Sequence, residues 1–94
     1  MISAAQCRAA RAMLNWSQDE LATNAQVARA TIADFERRER DPVRNNMFSI
    51  ISAFEARGVT FVDEGELGAG VRLKQPELEY INSVRMRGGD VIIP

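Results

Sequence analysis

Up to Gly58 the apolar residues of this chain fall at intervals of three and four. Beyond it they alternate, or gather in short runs parted by glycine and proline. The first spacing belongs to helices that bury one face, the second to strands joined by turns. The clearest stripe is Met47, Ile50, Ile51 and Phe54, at i, i+3, i+4 and i+7, which predicts a helix from about Asn45 to Arg57 with Gly58 as its stop. Cys7, Ala10, Met13 and Leu14 predict a first helix over Ala4 to Leu14, capped by Ser3 and ended by Asn15, a residue that tolerates the left-handed conformation. Ser17-Gln-Asp-Glu20 has the spacing of a capping box and opens a second helix over Gln18 to Ala25, with Leu21, Ala22 and Ala25 on its apolar face. Val27, Ile32 and Phe35 are the apolar contacts of a third helix from Arg29 to Arg37, and Pro42 forbids its continuation.

After Gly58 the reading changes. Val59-Thr-Phe-Val62 and Val71-Arg-Leu-Lys74 read as the two arms of a hairpin around the glycine-rich turn Asp63 to Gly70. Beyond Pro76, Leu78 and Ile81 fit a helix. Ser83-Val-Arg-Met86 and Val91-Ile-Ile93, flanking Arg87-Gly-Gly-Asp90, fit a second hairpin, which is preferred. The expected fold is mainly α with a small C-terminal β part: a helical domain over 1–58 and a β-rich extension over 59–94.

Composition narrows the function. The chain has 94 residues, 46% of them apolar, enough for one domain with a modest core. It has no apolar run long enough to span a membrane, and no basic leader ahead of an apolar stretch. With one cysteine, Cys7, this points to a reducing cytoplasm. Without histidine, and with that lone cysteine, the sequence has no zinc-site pattern, no base for nucleophilic catalysis, and calls for no cofactor. Gly65, Gly68 and Gly70 precede a strand, so they read as turn residues and not as a phosphate cradle. The net charge of −1 gives no global sign of a polyanion partner. Its distribution says more: eight arginines stand against seven acids up to Arg57, and Arg37, Arg38, Arg40 and Arg44 crowd eight positions, interleaved with Glu36, Glu39 and Asp41. A solvated mixed-charge face is one reading of that cluster and a phosphate-facing surface the other.

Two short helices joined by a tight turn and braced before and after are the elements of a helix-turn-helix, in which one helix supports another that enters the DNA major groove. At Arg11, Leu14, Trp16-Ser-Gln18, Glu20-Leu-Ala22, Val27, Arg29-Ala-Thr-Ile32, Phe35-Glu-Arg37 and Pro42 the sequence resembles the Cro/C1-type (XRE) helix-turn-helix regulators, over about residues 3–57. The resemblance implies a four-helix lambda-repressor-like domain bound to double-stranded DNA. It implies base contacts from Gln18, Arg29, Ala30 and Asp34. Arg29 is suited to the O6 and N7 of guanine. Asp34 would accept from cytosine or orient Arg29, and Gln18 would also bond a phosphate. Ser17, Thr31, Arg37, Arg38 and Arg44 would hold the DNA backbone, with the minor groove an alternative for Arg44. Arg11 and Glu36 match a structural salt bridge between the first helix and the end of the third. The sequence departs from the family at Gln26 and Arg38, where glycine is usual, and at Ala28, where serine or threonine caps the third helix.

Other residues read as packing. Trp16 suits the joint between the first two helices better than a stacking role, Cys7 reads as a small core residue, and Arg8 as surface. The apolar residues of 59–94 are expected either to cover the helices or, preferably, to pair with a second copy, since one recognition helix reads too few base pairs. The leading function is therefore a dimeric repressor on a pseudo-palindromic operator. An antitoxin whose C-terminal segment occupies a toxin, and an interaction module that no longer binds DNA, are the alternatives.

Overall fold

The computed structural model describes residues 1–63 and 65–74. Four helices come first: α1 (Ala4–Leu14), α2 (Gln18–Ala25), α3 (Arg29–Glu36) and α4 (Arg44–Glu55). They are followed by an antiparallel pair, β1 (Val59–Val62) and β2 (Gly70–Leu73). The helix-or-hairpin question over 76–93 lies outside the described residues.

The helix starts follow local chemistry. Ser3 and Gln6 form a reciprocal capping box on α1, and Ser17 and Glu20 form another on α2. Both α3 and α4 begin without one: Ala28 and Val43 offer no side-chain cap. Arg44, expected just before the fourth helix, is its first residue, and Arg37, expected within the third, is its cap.

Three helices end in the same way. Asn15, Gln26 and Arg38 all adopt left-handed backbone conformations, with φ of 58°, 58° and 64°. At each, the next residue's N–H reaches back to close the turn: Trp16 to the Arg11 carbonyl, Val27 to that of Ala22 and Glu39 to that of Asp34. This is the Schellman closure, which glycine enters without steric cost. A side chain with a Cβ pays roughly 1–2 kcal/mol there.

The core lies where the four helices meet. Cys7, Ala10, Leu21, Ile32, Ile50 and Phe54 have no exposed surface. Met13, expected on the apolar face of α1, is 42% exposed. Six residues beyond Cys7, it lies about 120° around the helix, off the buried stripe. Trp16 does pack at the joint after α1, but its main partner is on α4: its ring stacks on Phe54 at 5.8 Å, and Phe61 of β1 meets Phe54 edge-on at 5.7 Å.

The hairpin is docked on its own helices. Val59 pairs with Leu73 and Phe61 with Val71, so these four side chains share one face. Val59 is buried, and the other three pack against the helical core. The Gln6 amide donates to the carbonyls of Val62 and Gly70, clasping both strands at 3.1 and 3.0 Å. The sequence alone favours pairing of these apolar residues with a second copy over cover for the helices. In the structure this face lies on the helices, with β1 against α4 and β2 against α1.

Candidate nucleic-acid interface

The arrangement of α2 and α3 follows from their buried sides. Leu21, Ala22 and Ala25 of α2 face Ile32 and Phe35 of α3 within one core. That leaves Arg29 and Ala30 exposed at the start of α3, with Thr31 and Asp34 half-buried beside them. The turn at Gln26 and Val27 fixes the angle between the two helices.

What holds α3 from behind is a buried carboxylate. Glu36 has a side chain only 3% exposed, gripped by Arg11 through two parallel bonds, Nη2 to Oε1 at 2.6 Å and Nε to Oε2 at 2.8 Å. The Gln18 amide donates to Oε1 at 3.1 Å, and the Cys7 thiol lies 3.1 Å from Oε2. Burial pushes the Glu36 carboxyl upward, but the bonds from Arg11, Gln18 and Cys7 together outweigh it, leaving its pKa below the usual carboxylate range. The bond to Glu36 raises the Arg11 pKa further, against a smaller effect of burial. Burial first, then the adjoining Glu36, push the Cys7 thiol far up, so it stays neutral. Arg8, expected at the surface, is exposed along much of its length yet donates Nη1 to the Glu36 main-chain carbonyl at 2.6 Å. It thereby satisfies one of the open carbonyls at the end of α3. Arg11 also donates Nη1 to the Trp16 carbonyl at 3.0 Å, so one guanidinium ties α1, the α1–α2 joint and α3 together.

The expected DNA-facing residues are only partly gathered. Gln18 spends one amide N–H on Glu36, which leaves the second for an outside acceptor. Ser17 uses its oxygen to cap α2, leaving its O–H as a donor. Arg29 is exposed and paired with Asp19 of α2, Nε to Oδ1 at 3.0 Å. Asp34, offered as the group that orients Arg29, bonds Arg37 instead at 2.8 Å, and Arg37 also reaches Glu39 at 3.3 Å. The reason is helical geometry: Arg37 stands one turn after Asp34, whereas Arg29 is nearly a turn and a half before it. Among the described residues, Arg38, Arg40 and Arg44 join no ion pair. Arg44 lies over the Phe48 ring, 5.8 Å from its centroid.

Asp19, Cys7 and Arg8 are the contributors that periodicity missed. A capping-box position hides the role of Asp19, and nothing in linear spacing joins Cys7 or Arg8 to Glu36. No group of histidine, cysteine or carboxylate side chains that would hold a metal ion exists among the described residues, and no described helix is long and apolar enough to cross a membrane.

Comparison with known families is consistent with this geometry. A family model described as helix-turn-helix matches residues 8–57, which takes in most of α1 and all of α2, α3 and α4. No curated protein matches the chain.

Proposed function

Because the chain belongs to the Cro/C1-type (XRE) helix-turn-helix family of DNA-binding regulators, we propose that it reads a specific operator with α3 and represses by occupying a promoter. The single observation carrying this reading is the outward start of α3, exposed at Arg29 and Ala30 and braced from behind by the buried Arg11–Glu36 pair. A groove reader needs such a rigid mount, since base contacts tolerate little misplacement. Arg29 reads guanine, Ala30 allows close approach to a base edge, and Thr31 with Ser17 bonds phosphates beside it. Gln18 gives its second N–H to a phosphate. Arg38 and Arg44, with no ion pair among the described residues, supply charge to the DNA backbone, as does Arg37 once it leaves its carboxylates. Asp34 accepts from cytosine in the same state.

The operator is a pseudo-palindrome read by a dimer, because one α3 covers too few base pairs for useful selectivity. The dimer contact belongs to residues 59–94. Since Val59 and Phe61 serve the core, the contact uses strand edges and residues beyond Lys74 rather than the apolar face of the hairpin. Sedimentation of the full chain should give a dimer; a monomer at concentrations that saturate the operator would overturn this part.

Selection of sites from a random duplex pool tests the whole reading. The expected result is a symmetric sequence whose half-sites lie about one helical turn apart. One observation favours a second reading: Arg29 and Arg37 are both neutralised by carboxylates, which suits a module that binds protein and not DNA. Recovery of no sequence, with binding indifferent to salt, would favour it.

A further inference from the structure

The Asp19–Arg29 pair joins the first turn of α2 to the first residue of α3. It is the ion pair that ties the exposed start of α3 to the helix behind it. Both side chains are open to solvent, 75% and 63% exposed, so in the free protein the pair adds little to stability. Its geometry is more informative than its strength. The carboxylate stands beside Nε of the guanidinium, 3.0 Å away, as an ion pair without hydrogen-bond alignment, which leaves the far edge with Nη1 and Nη2 for a partner. A guanidinium recognises paired acceptors through two parallel N–H groups. Two such edges are possible, one using Nε and one using only the Nη nitrogens. Asp19 lies beside the first.

We infer that Asp19 is a positioning residue for base selection: it aims Arg29 so that the Nη edge meets O6 and N7 of one guanine. The inference rests on the proposed groove-reading role of α3. Asp34, the other carboxylate at hand, is occupied by Arg37, so the task falls to Asp19. As DNA closes over the pair and sheds water, the attraction between carboxylate and guanidinium strengthens, and the arginine loses its freedom to reach other acceptors. The same carboxylate lies two residues from Ser17, where a phosphate is expected, and there it repels. Asp19 thus trades general affinity for discrimination. That combination distinguishes it from a residue that merely supports α2, whose loss would weaken every sequence alike.

The experiment uses the full chain as wild type, Asp19→Asn, Arg29→Ala and the double variant. Sites are first selected from a random duplex pool by the wild type. Affinity is then measured for the selected site, for versions changed at each base pair, and for an unrelated duplex, with thermal melting run alongside. Arg29→Ala should lose about 5- to 150-fold in preference at one guanine. Asp19→Asn should lose about three- to tenfold at that same base pair and gain affinity for the unrelated duplex. The double variant should lose no more preference than Arg29→Ala alone. If Asp19→Asn keeps the wild-type preference while Arg29→Ala loses it, the positioning role is wrong and the reading of α3 stands. An equal loss at all sequences, with a lowered melting temperature, also overturns it in favour of a structural role. If Arg29→Ala changes no preference, or the wild type selects no site, the reading of α3 fails and the inference with it.

Discussion

At the scale of single residues, Glu36 has the largest structural consequence. Four side-chain bonds converge on a carboxylate that water barely reaches, so removing one partner leaves the rest mismatched. Glu36→Ala strands the Arg11 guanidinium and should cost about 3–5 kcal/mol, measured by denaturant unfolding. The same group sets an acid limit. Its folded pKa lies below its unfolded value, so its contribution is fully present above the ordinary carboxylate range and is lost as pH falls through the folded value. Stability should therefore decline below about pH 4, and Glu36→Gln should flatten that decline. The outward arginines should divide differently. Arg29→Ala should change site choice, whereas Arg37→Ala, at a residue proposed to hold the DNA backbone, should weaken all sequences about equally in competition assays.

At the scale of elements, the turns between helices carry avoidable costs. Gln26 occupies a left-handed conformation that glycine enters freely, and Ala28 leaves α3 without a side-chain cap. Gln26→Gly should stabilise by about 0.5–1 kcal/mol, the steric relief less the added freedom of glycine in the unfolded chain. Ala28→Ser should add ~1 kcal/mol. Thermal melting reads both, with a rise of about 4–8 °C expected per kcal/mol in a domain of this size. Both positions stand out against the family the sequence resembles, which usually has glycine at the first and serine or threonine at the second, because caps and left-handed turns depend on a few consecutive residues. The α2 capping box and the α4 stripe are legible there for the same reason. Gly58 is different in kind. Its φ is +92°, and a Cβ there would lie 2.6 Å from the Lys74 carbonyl oxygen. It closes α4, as its place after the stripe suggests, and it also lets β2 come close, which no local pattern could announce.

At the scale of the whole molecule, the hairpin and the helices form one packed unit through Phe54, with Trp16 on one side and Phe61 on the other. Phe61→Ala should lower the stability of the helical body by about 3 kcal/mol, followed by helical circular dichroism in denaturant; an unchanged midpoint would mean the hairpin is an appendage. Among the described residues only Arg11, Arg29 and Arg37 pair with carboxylates, so the other arginines are free to neutralise phosphates and the affinity should fall as salt rises, with a slope of about −0.9 per phosphate neutralised. The sequence by itself determined the four helices and the side-chain caps of α1 and α2, because each rests on periodicity or on chemistry within a few residues, and its resemblance over residues 3–57 pointed to the family. Only the tertiary structure decided that Asp19 and not Asp34 holds Arg29, that Cys7, Arg8 and Gln18 all converge on Glu36, and that the first hairpin turns its apolar face inward. Those outcomes depend on which surfaces meet once the helices pack, and a side chain's partner across a core is set by distances that the order of residues along the chain does not contain.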